Sequence, residues 1–420
     1  MYKKILEYYF IVLFSIIPVA VVIGPTISLA NILLIDISFI FTLIHSKNFL
    51  FLKKKSVILI LIICVYLIFN SLISQDFSIG YKRNFGFIRF LILFIAFNYF
   101  FLRDDFYKKV FLAWLFTITL VCIDIYVEHF FGKNILGFSG NKAHYGDRIV
   151  SFFKDEPIVG SYINAFYLLL VGFVFHLLGD LSYKKKLVIL FLSIILFFSI
   201  LLTGERSALI KALSALMIFY SLSDTFKIKE KVILLIVIFT ISISIYSNSV
   251  FLKSRWVTDN SLSIFKSKGI KKSTNLIKGN ENLYLTIYRS GLTVWKNYPL
   301  FGVGNKNYRI VTCKTKDLIK IPEYICGNHP HQIYIEFLAE HGIIGGLILL
   351  IVIFNLLFKN LPIFIKSKNY MQLGCFVFLL NVFLPIIPSG AFFGDFSSNL
   401  FWINMSILYA SNPKTNIFRN

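Results

Sequence analysis

Gly-Asn-His-Pro-His-Gln-Ile-Tyr-Ile-Glu-Phe-Leu-Ala-Glu-His-Gly-Ile-Ile-Gly, residues Gly327–Gly345, runs without a break into the apolar stretch that ends near Phe358. A polar loop here re-enters an apolar run of about 20 residues, the length needed to cross the hydrocarbon core of a bilayer. The loop end holds three of the chain's seven histidines, His329, His331 and His341. Imidazole exchanges a proton near neutral pH, so a histidine at a bilayer surface can act on a substrate held in the membrane.

The rest of the chain repeats this pattern. Hydrophobic residues make up 57% of the 420 and charged residues 15%, against about 25% charged in a soluble domain. The apolar runs are long, continuous and rarely alternating, which predicts helices and argues against a β-barrel. We read an all-α polytopic membrane protein with about twelve transmembrane helices. The spans fall at 6–24, 27–45, 56–74, 84–102, 109–131, 158–179, 187–202, 206–222, 232–248, 332–358, 371–387 and 396–411. The seventh and eighth are short and separated only by Thr203-Gly204-Glu205. The first span is no cleaved signal peptide, because no small-residue cleavage site follows it. Three regions result: transmembrane helices 1–9 over 1–248, a long loop with short helices over 249–331, and transmembrane helices 10–12 over 332–420.

Lysine sets the orientation. Lys3-Lys4, Lys53-Lys54-Lys55, Lys108-Lys109, Lys184-Lys185-Lys186, Lys227/Lys229/Lys231, Lys366/Lys368 and Lys414/Arg419 all fall on one side of the twelve spans. By the positive-inside rule that side is cytoplasmic, and both termini lie there. Much of the net charge of +22 is this topogenic lysine, so it does not imply a nucleic-acid partner. The opposite face carries the loop 249–331, far longer than a connection needs. Its 253–282 half is rich in Lys, Ser and Asn, whereas Tyr298-Pro299-Leu300-Phe301-Gly302-Val303-Gly304 combines turn residues with apolar ones, which suits segments lying in the interface.

Of the five cysteines, Cys64, Cys122 and Cys375 fall in apolar spans and read as small packing residues. Cys313 and Cys326 share the long loop on the non-cytoplasmic face, where disulfides persist, and we expect them to pair. No second cysteine pair accompanies them, so a metal site is not expected.

Several charges stand where charge is costly. Arg206 opens the eighth span, and a charge at membrane depth is a functional candidate; the plainer alternative is an interfacial arginine paired with Glu205. Arg289 lies in the long loop and is available to the same site. Arg89 in span four can join an anion site. His176 in span six reads as a packing residue. Asp155-Glu156 before span six serve either as helix caps or in a site. The sequence lacks a phosphate-binding glycine loop, an Asp-x-Asp metal pair and the paired intramembrane charges of ion-coupled transport. We therefore expect no cofactor and no metal, and any phosphate must be met by guanidinium, which forks bidentately onto it. Pro330 is suited to a first helical turn. Tyr334, Phe337, Leu338 and His341 then recur at helical spacing, as in a short amphipathic helix, and Gly342 and Gly345 permit a bend or close packing.

Together these residues resemble the O-antigen ligase and O-antigen polymerase superfamily of bacterial inner membranes. His331-Gln332-x9-Gly342-x2-Gly345 is similar to a motif at the end of that family's large periplasmic loop. Arg206-Ser207-Ala208-Leu209-Ile210 is similar to its Arg-x3-Leu, with isoleucine in place of leucine. Arg289, Trp295, Pro299, Gly302 and Gly304 match its loop arginine and glycine turn. The likeness covers roughly 60–410 and is strongest over 200–350.

The resemblance implies a GT-C-like fold with a periplasmic loop and an active site on the periplasmic face of the inner membrane. It implies a metal-independent glycosyltransferase. The donor is a glycan on undecaprenyl pyrophosphate, and the acceptor is lipid A–core or a second lipid-linked glycan, both presented among membrane lipids. His331 is the expected base, and Arg206 and Arg289 the expected pyrophosphate clamp. His329, Arg89 and Tyr334 are secondary candidates. No carboxylate is placed to form a covalent intermediate, so inversion is expected. Ligase is favoured over repeat-unit polymerase. A lipid-linked saccharide transporter is the alternative from another class, and the absence of inverted halves speaks against it.

Overall fold

The computed structural model describes residues 2–47, 49–140, 148–154, 156–179, 182–249, 251–253, 283–313 and 324–419. It is 77% helix, with no strand among the described residues. In chain order the helices are α1 (Tyr2–Ile23), α2 (Pro25–Ser46), α3 (Lys55–Leu72), α4 (Phe77–Phe85), α5 (Ile88–Phe100), α6 (Asp104–Phe131), α7 (Val159–Leu178) and α8 (Tyr183–Leu202). They continue as α9 (Arg206–Leu222), α10 (Ile228–Asn248), α11 (Leu283–Asn297), α12 (Tyr308–Cys313), α13 (Ile333–Phe358), α14 (Leu361–Lys366), α15 (Tyr370–Val382) and α16 (Asp395–Ala410).

Each stretch expected to span contains a helix, although that in 84–102 is broken at Gly86-Phe87 and that in 371–387 ends at Val382. Among the described residues, eight helical segments are long and apolar enough to cross a membrane: Lys4–Ile23, Pro25–Ser46, Lys55–Leu72, Phe77–Phe100, Asp104–Phe131, Val159–Leu178, Tyr183–Leu202 and Ile333–Lys366. The protein is thus a multi-pass membrane protein. The other four expected spans are the helices α9, α10, α15 and α16. The expected polar half of the long loop, 253–282, lies almost wholly outside the described residues, as does Asp155.

Local sequence explains the boundaries. Pro25 starts α2 behind Gly24, where its missing N–H costs nothing. The Asp76 side chain caps α4 by accepting from the Ser78 amide at 3.0 Å. Gly132, in the left-handed conformation, closes α6, as helix C-termini favour. Phe41, Phe116, Phe191 and Phe239 are exposed and form a lipid-compatible surface, whereas Trp114 and Trp402 are fully buried. The lysine-bearing turns gather at one end of the bundle. There Lys186 reaches Glu230 at 3.6 Å and the Thr225 carbonyl at 2.7 Å. Both chain ends lie with them: Glu7 pairs with Arg103 at 3.0 Å, and Arg419 donates to the Leu102 carbonyl. At the other end the N-termini of α7, α9 and α13 meet the turns 148–154, 203–206 and 383–394.

Candidate active site

At that second end lies a cavity of about 480 Å³. The start of α7 contributes Ser161, the turn into α9 contributes Glu205, Arg206 and Lys211, and α11 contributes Tyr284. His331, Ser389 and Phe392 close it from the α13 side, and Arg148 stands at its edge.

His331 is held by its backbone. It adopts φ 56°, a left-handed geometry that few non-glycine residues take up, and its carbonyl accepts from the Ser389 amide at 2.9 Å. The helix therefore starts later than Pro330, which the sequence favoured: Gln332 is the N-cap, its side chain accepting from the Ile335 amide at 2.9 Å. Neither ring nitrogen of His331 makes a hydrogen bond among the described residues. The Tyr284 ring stands edge-on at 6.2 Å, and the His329 ring lies 4.0 Å away. Burial lowers the pKa of His331 below the usual histidine range. Burial first, and the neighbouring His331 second, push His329 down to about 3. His329 Nε2 lies 3.3 Å from the Ser389 carbonyl. His331 lines the cavity, and burial there favours its neutral imidazole over the charged form.

The helix that follows this histidine is interrupted within its own length. Gly342 (φ 65°, ψ −171°) interrupts α13, in a region that is essentially glycine-only. The segment 299–304 docks into the break. The amides of Ile343 and Ile344 donate to the Pro299 and Leu300 carbonyls at 2.8 and 3.1 Å, and those of Val303 and Gly304 donate to the Ala339 and Glu340 carbonyls at 3.0 and 2.9 Å. Backbone groups freed by the kink are thus satisfied by the glycine turn. Gly345 packs against Tyr66, whose hydroxyl a β-carbon would overlap. Two buried carboxylates fix the surroundings. Glu336 accepts from the Phe392 amide at 3.0 Å, pinning the cavity's 388–394 wall, and Glu340 accepts from the Lys306 amide at 2.9 Å.

Arg206 is the first residue of α9, half-buried, and makes no hydrogen bond or ion pair among the described residues. Glu205 does not neutralise it. The Glu205 carboxylate turns instead to the start of α7, accepting from the Gly160 and Ser161 amides at 2.5 and 3.1 Å and from the Ser161 hydroxyl at 2.8 Å. Burial pushes Glu205 up to about 7. Among the described residues the cap of α7 thus comes from a distant turn, and Glu156 is exposed. Lys211, one turn deeper, also has no partner among the described residues. The Nε of Arg148 is buried without one. Three cations, Arg148, Arg206 and Lys211, thus line one space together with the Glu205 carboxyl.

The remaining candidates sit elsewhere. Arg289 is on α11, five residues beyond Tyr284; it is exposed and outside the cavity lining. Arg89 pairs with Asp395 at 3.0 Å, with Arg83 on the same carboxylate at 2.5 Å, and lies outside the cavity lining. The Tyr334 hydroxyl donates to the Phe383 carbonyl at 2.7 Å and ties α13 to the end of α15. Cys313 and Cys326 are bonded, with Cα atoms 4.5 Å apart. His341 is fully buried, its Nδ1 3.1 Å from the Tyr66 hydroxyl. His176 packs its ring 5.2 Å from Tyr107 at the lysine-rich end. Sequence reading missed Arg148, Lys211 and Tyr284. Lys211 carried a signal, as a lone cation within an expected span one turn from Arg206; Arg148 and Tyr284 are far from His331 in sequence.

These features define a class: a multi-pass helical membrane protein with a cation-lined cavity and a histidine at one end. A family model described as O-antigen ligase matches residues 191–350, which include Arg206, Arg289 and His331. That match bears out the resemblance to the O-antigen ligase superfamily. No curated protein matches the chain.

Proposed function

We propose that this protein is an O-antigen ligase-like glycosyltransferase of the bacterial inner membrane, with its cavity on the periplasmic face and both termini in the cytoplasm. It moves a glycan from undecaprenyl pyrophosphate to lipid A–core. His331 takes the proton from the acceptor hydroxyl as its oxygen bonds to the anomeric carbon. The bond from that carbon to the pyrophosphate oxygen breaks on the opposite side, which inverts the centre. The departing pyrophosphate gathers negative charge and is held by Arg206, with Lys211 and Arg148 beside it. Arg289, as first expected, would complete the clamp only after α11 shifts. His329 is a positioning residue, sharing Ser389 with His331. Arg89 and Tyr334 act as framework.

One observation carries this reading: the His331 imidazole and the Arg206 guanidinium, both without a hydrogen-bond partner among the described residues, line the same cavity. Repeat-unit polymerase stays as the second reading, because donor and leaving group are the same. A gel profile of envelope lipopolysaccharide tests both, using a deletion strain rescued with wild type or His331→Ala. Bare core on deletion, and no rescue by the variant at normal protein level, supports the ligase. Core with a single repeat points to the polymerase. An unchanged ladder, or full rescue by His331→Ala, sinks the catalytic assignment and raises the transporter.

A further inference from the structure

The turn 383–394 folds over the cavity and is tied down from four helices. The Tyr288 hydroxyl of α11 donates to the Ile386 carbonyl at 3.0 Å, and the Tyr334 hydroxyl of α13 to the Phe383 carbonyl at 2.7 Å. Arg83 of α4 donates to the Phe393 carbonyl at 2.7 Å, and the Ser398 hydroxyl of α16 to the Phe392 carbonyl at 2.8 Å. All of these hold carbonyls. Among the described side chains, Glu336 alone takes the turn's amides. Both its oxygens lie 3.0 Å from the Phe392 nitrogen, and the Phe393 amide donates to it as well. Glu336 is fully buried, and the charged groups that act on it are Glu340 and Lys306.

Three residues before Phe392 stands Ser389. Its amide donates to the His331 carbonyl at 2.9 Å, and its carbonyl lies 3.3 Å from His329 Nε2. His331 depends on that amide. Its φ of 56° is sparsely populated and persists only where the surroundings impose it. The Ser389 amide is the one hydrogen-bond partner of the His331 backbone among the described residues. The contacts therefore close a ring: His331 to Ser389, along the wall to Phe392, and through Glu336 back to the first turn of α13, where the Glu336 amide donates to the Gln332 carbonyl at 2.8 Å.

We infer that Glu336 is a positioning residue for His331: by holding the Phe392 and Phe393 amides it sets the wall from which Ser389 fixes the histidine's backbone and covers its ring. Glu336 does not line the cavity, so it acts through that wall and not on a substrate. The inference rests on His331 as the base proposed above, but the placement of His331 can be read without any transfer.

Diethyl pyrocarbonate acylates the neutral imidazole, and its reaction with His331 can be followed against pH by peptide mass spectrometry on the purified full chain. The groups that face His331 are His329 from its own segment, Tyr284 from α11, and Arg148, Glu205, Arg206 and Lys211 around the cavity; no variant changes them. In the wild type the midpoint is expected below 6.5, since burial disfavours the charged ring. Glu336→Ala loosens the wall and admits water, so His331 should react faster and its midpoint should rise towards 6.5. Glu336→Gln keeps one acceptor oxygen and should stay near the wild type. Glu336→Asp keeps the charge but shortens the reach, so it should shift the midpoint upward by less, and it serves if the alanine variant does not fold. Gln372→Ala is the control for general loosening. Its side chain donates to the Leu408 carbonyl and the Thr415 hydroxyl at the lysine-rich end, so its loss should lower the unfolding temperature without moving the midpoint. A midpoint that Glu336→Ala and Glu336→Asp leave in place, or that Glu336→Gln or Gln372→Ala moves as far as Glu336→Ala does, overturns the inference. Transfer by Glu336→Ala should fall about 10- to 10²-fold in kcat with KM nearly kept, the loss that a small misplacement of a reacting group brings; a loss in KM alone also overturns it. A midpoint that shifts as expected, in a protein whose wild type transfers no glycan, would sink the transfer reading and leave the positioning of His331 standing.

Discussion

At the scale of single residues, the site is defined by what its charged groups leave undone. His331 makes no ring hydrogen bond among the described residues, and burial lowers its pKa below the usual 6.5. Its protonated, inactive form therefore accumulates only at pH values lower than for a free histidine. The acid limb of kcat/KM, which reports the free enzyme's essential base, is expected below pH 6.5. A limb at or above 6.5, or one that persists in His331→Ala, would count against His331 as the base. For Arg206, loss of a donor aimed at developing charge costs on the order of 10²–10³ in rate. Arg206→Ala should lose transfer by about that factor, and Arg206→Lys should recover only part of it, because an ammonium cannot fork onto a diphosphate. Equal rates for the Lys variant and wild type, in a transfer assay on purified protein, would remove the bidentate role. His331 and Arg206 were legible because each sits at the edge of an apolar run, where a polar group stands out. Arg148 was not, because nothing in its neighbourhood of the sequence marks it; only the fold carries it to Arg206.

At the scale of elements, α13 and the turn 299–304 are one unit, although 28 residues, the disulfide-closed segment among them, separate them in the chain. The sequence left a bend or close packing open at the glycines; Gly342 makes the bend and Gly345 the close packing. Four backbone hydrogen bonds cross the break at Gly342, so the turn keeps the kink from leaving unsatisfied amides in apolar surroundings. An alanine at Gly342 would need a backbone conformation costing on the order of 1–3 kcal/mol and would press on the Leu300 carbonyl. Gly342→Ala should lower the unfolding temperature in detergent and reduce transfer together, since His331 leads into the same helix. Gly345 tests packing alone. Gly345→Ala overpacks against Tyr66, at a cost of about 1–3 kcal/mol, and Tyr66→Ala should relieve it. Strict additivity of the two changes in a double-mutant cycle would show that the Tyr66 contact does not set the requirement for glycine. Pro330 misled the sequence reading for a local reason. His331 takes the left-handed conformation and Gln332 an extended one, which delays the helix and turns the histidine toward the cavity.

At the scale of the whole molecule, the lysine pattern and the site divide the protein into two ends. Apolar run length alone located every helix expected to span, because a bilayer tolerates no unpaired backbone. What run length could not show is how the spans break: 77–100 is two helices, α4 and α5, bent at Gly86-Phe87, and α15 stops at Val382 so that 383–394 can fold over the cavity. Those breaks place the cavity wall, and they depend on tertiary partners such as Glu336. The division into ends yields the last prediction. Lys54 lies at the lysine-rich end, and Ile386, 76% exposed, lies in the turn over the cavity. The free cysteines, Cys64, Cys122 and Cys375, are all buried, so a single introduced thiol reports its own side. In cells with a permeabilised outer membrane, a membrane-impermeant maleimide should label Ile386→Cys and leave Lys54→Cys unreacted until the inner membrane is opened. The reverse pattern would put His331 and the cations on the cytoplasmic face. There a lipid-linked donor presented on the outer leaflet cannot reach them, and a periplasmic transfer would be untenable whatever the chemistry of the cavity.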